Sequence, residues 1–236
     1  MKQLFAATVV ALLLIAVAPT GAQQRAQVDV TSVSVHSGQK LTIRKSLYWR
    51  NNGRMVIDQT APEHFIYLTN TLGEMKAYNP ATNQVMVASD KEFSSTKEMF
   101  TMFASGSYLD MGLPYYGYTQ SSVETVDGRL VKTFTSNQAA AKGISRIELV
   151  FERHTPIYMA YYMAKGEVVR KVYFSRYVSD RVLMPTRITD IEYAKGDSTV
   201  TLNLYNNFRF DHEADSPMFD FKIPDDAEAV PFTMPQ

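Results

Sequence analysis

Apolar and polar positions alternate with a period of two in short runs through most of the chain, and turn-forming residues separate the runs. This period is the strand signature, because successive side chains leave opposite faces of a sheet. Residues 28–35 open the series with Val28 and Val30, then Val33 and Val35, so a slip at Thr31-Ser32 predicts a bulge. Leu41, Ile43, Leu47 and Trp49 share one face, while Thr42, Arg44, Ser46 and Arg50 share the other. Asn51-Asn52-Gly53 predicts a hairpin turn with positive φ at both central positions. Residues 54–59 return from it, and Ala61-Pro62 ends that strand. Further strands are predicted over 64–70, 74–78 and 84–88. The pattern is a meander, in which sequential strands are neighbours.

One segment departs from this rhythm. Ser95-Thr96-Lys97-Glu98 reads as a capping box, with the Ser95 hydroxyl facing a backbone amide and Glu98 reaching back. Met99, Phe100, Met102 and Phe103 then fall on one helical stripe, and Gly106 stops the helix. That stripe is too bulky to leave in water, so the helix must lie against the sheet. Strands resume at 122–126 and 130–135, flanking Asp127-Gly128, a second hairpin signal. The 139–143 stretch, Ala-Ala-Ala-Lys-Gly, reads as a loop or short helical turn. Ile147, Leu149 and Phe151 define a half-exposed strand, 156–163 is apolar on both faces, and 168–177, 186–193 and 199–206 complete the sheet. No repeat or linker interrupts the series, which predicts a single mainly β domain over residues 23–236.

The first 22 residues belong to a different class. A charged start, an apolar run over 4–17 and small residues up to Ala22 predict a secretory signal peptide, residues 1–22, cleaved after Ala22. The run is shorter than the roughly 20 residues that span a bilayer. The chain has no cysteine, so no lipid is attached at the cleavage site, and the mature protein is expected to be exported and soluble. Its 24 basic and 24 acidic residues balance, which argues against a nucleic-acid partner.

Catalytic chemistry is sparse. His36, His64, His154 and His212 are scattered, and no nucleophile elbow, phosphate loop or dinucleotide turn is present. Asp211, His212, Glu213 and Asp215 form an acidic loop that suits either calcium or solvent, with a spacing unlike a calcium loop. No enzyme activity, no cofactor and no metal site are predicted. Fourteen Tyr, thirteen Phe and twelve Met can instead fill a core or line an adaptable cavity. Trp49, Met55, Ile57, Ile66, Leu68, Met86, Met159 and Tyr161 are the candidate cavity residues, with Met99, Phe100, Met102 and Phe103 as the cover over them. Periodicity alone leaves a lined cavity and an ordinary helix-on-sheet core as equal alternatives.

Glu74-Met75-Lys76-Ala77-Tyr78-Asn79-Pro80, followed by Gln84-Val85-Met86-Val87, resembles the Trp-x-Tyr-(Asn/Asp)-Pro…Gln-Val stretch of outer-membrane lipoprotein carriers of the LolA type. Tyr48-Trp49-Arg50 and Gln59-Thr60-Ala61-Pro62 resemble that family's aromatic-basic strand and proline turn. Met184-Pro185-Thr186-Arg187-Ile188 and Met218-Phe219-Asp220-Phe221-Lys222-Ile223-Pro224 are similar to its last strands. Two departures stand out: Met75 and Ala77 where the family has Trp, and no helix before the first strand. The resemblance implies a half-open antiparallel β-barrel with a short α-helical lid, sheltering acyl chains in the periplasm. It implies a monomer that binds acylated lipoproteins, with an inner-membrane donor complex and an outer-membrane acceptor as partners. It also implies that Arg50 locks the lid by hydrogen bonding, against the alternative of a solvated strand-edge charge. A lipid sensor or carrier for another lipid on the same fold, and a secreted hydrolase, are the rival functions.

Overall fold

A computed structural model describes residues 24–136, 143–194 and 196–232. The predicted signal peptide and most of the 139–143 stretch lie outside these residues. Fourteen strands form one open sheet in the order β14-β6-β5-β4-β3-β2-β1-β13-β12-β11-β10-β9-β8-β7. They are β1 (Arg25–His36), β2 (Gln39–Arg50), β3 (Met55–Ala61), β4 (Phe65–Thr69), β5 (Glu74–Asn79), β6 (Gln84–Ser89), β7 (Thr119–Val126), β8 (Arg129–Thr135), β9 (Ile144–Glu152), β10 (Thr155–Met163), β11 (Val168–Val178), β12 (Met184–Ala194), β13 (Asp197–Phe210) and β14 (Glu228–Val230). Two antiparallel meanders, β1 to β6 and β7 to β13, join where β13 pairs with β1. Among the described strands only β14 runs parallel, along β6. Among the described residues no helix is long and apolar enough to cross a membrane.

Turn chemistry accounts for much of the meander. Asp127 and Gly128 both take positive φ, 50° and 75°, the mirror-image turn that matches strand twist. At Asn51-Asn52-Gly53 only Gly53 does so, at 86°, and the Arg50 amide donates to the Arg54 carbonyl beyond it. Gly53 also has a packing reason: a Cβ there would sit 2.3 Å from Thr71 Cγ2. The expected bulge at Thr31-Ser32 is not there; the register against β13 shifts between Gln27 and Asp29. Beyond it β1 alternates without a slip, so Val33 and Val35 face away from Val28 and Val30.

The two faces of the sheet are covered differently. Ala26, Val28, Leu47, Trp49, Met55, Phe134, Leu149, Phe151, Val172, Phe174 and Ile188 build the main core on what we term the inner face. Tyr48, Val56, Ile66 and Tyr78 project from the outer face. There they meet Ala214, Phe219, Phe221 and Ile223 of the C-terminal segment. That segment is a 3-10 turn, Pro217–Asp220, followed by irregular chain, so 218–224 is not the final strand the resemblance suggested, whereas 184–188 does open a strand, β12.

Candidate functional site

The segment after β6 crosses the inner face. A 3-10 turn at Ser95–Lys97 leads into α1 (Met99–Ala104). The capping box does not form. Ser94 caps the turn by accepting from the Thr96 amide, while Ser95 Oγ donates to the Gly53 carbonyl at 2.7 Å. The Ser95 amide donates to the Asn70 carbonyl at 2.9 Å, so the entry to α1 is tied to the ends of β3 and β4. Glu98 is extended and makes no cap; its carboxylate instead pairs with Lys45 Nζ on β2 at 2.8 Å.

Phe100 and Phe103 are the most buried residues of α1, at 0% and 2% exposure. Phe100 meets Trp49 edge-on at 6.1 Å, and Phe103 meets Phe174 at 6.0 Å and Tyr177 at 6.2 Å. Met99 and Met102 pack at the margin of the same cluster. Two buried polar atoms, Trp49 Nε1 on the sheet and Thr101 Oγ1 on α1 itself, find no hydrogen-bond partner among the described residues. Each such atom costs on the order of 1–3 kcal/mol.

Two cavities flank α1. One, about 490 Å³, lies between Val30, Ile57, Tyr67, Met75, Ile188 and Tyr205 on the sheet and Phe93 and Met99 opposite. The other, about 330 Å³, is walled by Met102, Met111, Leu113, Tyr118, Ile147 and Met159. Both volumes fall within or near the usual range for small-molecule sites. Three ion pairs border the larger cavity: Lys45 with Glu98, Lys97 with Glu92 at 2.7 Å, and Arg170 with Asp190. Burial opposes the charge on Arg170, but the Asp190 hydrogen bond and the nearby Tyr161, Asp190 and Glu192 raise its pKa above the ordinary value. Burial also pushes the hydroxyls of Tyr161 and Tyr205 upward, so both stay neutral at physiological pH.

The predicted site residues divide in two. Ile57 lines the larger cavity, and Met159 and Tyr161 the smaller. Trp49 and Met55 sit in the core under α1. Met86 is half-buried and shares a face with Tyr67 and Ala77 through the register, yet it walls neither cavity. Ile66 and Leu68 are on the outer face, because Val56 pairs with Leu68 while Met55 pairs with Thr69. Arg50 is on that outer face too. Its Nη2 bonds Asp220 at 2.8 Å and its guanidinium lies 5.8 Å from the Phe219 ring, so it engages the C-terminal segment and not α1. Lys45 makes the sheet-to-helix ion pair instead. The sequence carried a signal for it: Lys45 interrupts the apolar phase of Leu41, Ile43, Leu47 and Trp49, as Arg170 interrupts that of Val168, Val172 and Phe174.

The acidic loop at Asp211 turns to arginines. Arg25 Nε donates to the Asp211 carbonyl, Arg181 pairs with its carboxylate at 3.1 Å, and Arg25 lies 3.8 Å from Asp215.

Comparison with known proteins adds the fold. No family model matches the chain, and no curated protein matches it. Among solved structures, a DUF1329 family protein from Desulfovibrio piger aligns with a TM-score of 0.57 at 17% identity, over 84% of this chain and 90% of that one. A domain named for outer membrane lipoprotein sorting, from Vibrio parahaemolyticus, aligns at 0.55 and 13%, over 83% and 89%. A LolA superfamily protein from Nitrosomonas europaea aligns at 0.51 and 13%, over 80% and 86%. The fold is LolA-like. At these identities the likeness is one of fold; Tyr78 and Phe219, which belong to the motifs quoted above, both pack in the outer core.

Proposed function

We propose that the chain is a soluble periplasmic carrier of acyl chains, with the sheet curled into a half-open barrel and α1 as its lid. The observation that carries the reading is the cover itself: two fully buried phenylalanines fill the inner face between two cavities lined by Met75, Met99, Met102, Met111 and Met159. Trp49 on β2 and Phe174 on β11 are four strands apart, about 19 Å on a flat sheet. Residues three apart on a six-residue helix touch both, which favours a curled sheet.

Burying an acyl chain yields about 0.8 kcal/mol per CH₂, so a preformed empty pocket would hold its cargo too tightly to release it. Phe100 and Phe103 occupying the face in the free state offset that gain, since the ligand must first displace them. The unpaired Trp49 Nε1 and Thr101 Oγ1 make displacement easier. Methionine side chains then adapt to chains of differing shape. In this reading the cargo is an acylated lipoprotein, taken from an inner-membrane donor and passed to an outer-membrane acceptor. The protein works as a monomer without a cofactor and catalyses no reaction.

Native mass spectrometry of protein isolated from its own periplasm tests this directly. Co-purifying acylated polypeptide is the expected result. A protein that carries no lipid, and that in vitro binds neither acyl chains nor the oxygen-free probe N-phenyl-1-naphthylamine, is not a carrier.

A further inference from the structure

Arg170 is the sheet residue that borders both inner-face cavities. Its Nε donates to the two carboxylate oxygens of Asp190 at 2.9 and 3.1 Å, and its Nη2 donates to one of them at 2.5 Å. Glu192 lies 3.7 Å from Nε, and the guanidinium lies 5.1 Å from the Tyr161 ring centroid. Among the described residues Nη1 donates no hydrogen bond. With 34% of the side chain exposed, Arg170 offers donors to whatever enters the cavities.

Two features define the occupant. The smaller chamber presents Met102, Leu113, Ile147 and Met159, a surface for hydrocarbon. The polar junction, in contrast, has no excess of positive charge. Arg170 faces both Asp190 and Glu192, and the neighbouring Lys97 and Lys45 are neutralised by Glu92 and Glu98. A carboxylate or phosphate arriving here meets two like charges and has to compete with Asp190 for the guanidinium. A neutral carbonyl carries no net charge for those carboxylates to repel, and by accepting from the guanidinium it repays the desolvation of the arginine without placing an unbalanced charge in the cavity.

We infer that Arg170, oriented by Asp190, binds the carbonyl oxygen of a neutral ester- or amide-linked acyl chain whose hydrocarbon lies in the adjoining chamber. The site thereby selects linked acyl chains over free fatty acids. This inference rests on the acyl-carrier reading and narrows its ligand class.

The test is competition against N-phenyl-1-naphthylamine at pH 8 with three probes: monopalmitoylglycerol, N-palmitoylethanolamine and palmitate. Either neutral probe should bind the natural protein about tenfold more tightly than palmitate, the effect expected of one hydrogen bond to a charged group. The tighter of the two identifies the linkage. Arg170→Met should weaken the neutral probe about tenfold while naphthylamine binding stays within about twofold. Glu192→Gln, at a mostly exposed position, should strengthen palmitate and narrow the preference, and it serves as the control should Arg170→Met perturb folding. Palmitate binding as tightly as the neutral probes overturns the inference, as does an Arg170→Met protein that keeps its preference. A natural protein that carries no co-purifying lipid and binds neither naphthylamine nor any of the three palmitoyl probes, each titrated directly, overturns the carrier reading itself, which separates the two failures.

Discussion

The inner and outer faces of this sheet both present apolar surface that must be covered, and they are covered by different kinds of contact. On the outer face the C-terminal segment lays Phe219 against Tyr48 at 5.4 Å and then ties itself down by charge. Arg50 bonds Asp220, Arg54 Nη2 donates to the Phe221 carbonyl at 2.7 Å, and Arg25 lies over the Phe219 ring. The strand β14 then adds to the sheet edge through its backbone. On the inner face α1 is anchored at its entry by Ser95 and joined to the sheet by the Lys45–Glu98 pair, but otherwise it rests on ring contacts beside two cavities, with one orphaned polar atom on the sheet and one of its own. In the carrier reading this difference is what makes α1 removable, because its contacts are apolar and interchangeable with those of a ligand.

Phenylalanine truncation should break this comparison most visibly. Phe219→Ala and Phe100→Ala each remove a fully buried ring, and each should cost about 3–5 kcal/mol in urea unfolding. Their effects on ligand should diverge. Phe100→Ala lowers the cost of displacing the helix and should raise affinity for N-phenyl-1-naphthylamine several-fold, whereas Phe219→Ala should leave it unchanged. Parallel losses of affinity in both variants would show that α1 is ordinary core.

The difference between the faces was only half legible in the sequence. Strand identity followed from alternation and turn chemistry, as at Asp127-Gly128, because both act locally. Which face is inner depends on register between strands, and one pairing, Val56 with Leu68, moves Ile66 and Leu68 away from Met55 and Ile57. The outer cover misleads for another reason: Phe219, Phe221 and Ile223 alternate with Asp220 and Lys222 as a strand would, yet Pro217–Asp220 is a 3-10 turn and the chain after it is irregular. The spacing of Glu98 from Ser95 fits a cap, yet an ion pair with a lysine 53 residues away outcompetes that local bond. Lys45 and Arg170, charged residues in an apolar phase, were the visible clues to the site.

Alkaline pH sharpens the contrast next. Tyr177, against Phe103, and Tyr205, beside the larger cavity, both have pKa values raised by burial. A tyrosine whose folded pKa exceeds its unfolded value of 10 stabilises the fold fully below pH 10 and loses that contribution as pH rises beyond it. Stability should therefore fall from about pH 10 upward, with inner-face tyrosines ionising only as the protein unfolds. Binding of an apolar probe that displaces α1 should bring Tyr177 ionisation to lower pH, read as phenolate absorbance. Titration of Tyr177 unchanged by saturating probe would place the ligand elsewhere.

The smallest expected effect distinguishes the two arginine-and-lysine anchors. Lys45 and Glu98 are about one-fifth and one-quarter exposed, so the pair is worth about 1 kcal/mol or less after screening. In the carrier reading that small term bears directly on the balance between closed and open α1. Lys45→Met should therefore raise probe affinity two- to fivefold, about the Boltzmann factor of such a term. Arg50→Leu, cutting the pair with Asp220 on the outer face, should cost a similar amount of stability with no change in affinity. Added salt should mimic Lys45→Met in the natural protein and do nothing further in the variant, because the screened interaction is already gone. Should Arg50→Leu change affinity and Lys45→Met leave it alone, the helix would be governed from the outer face, and the division between a sealed side and an opening side would be lost.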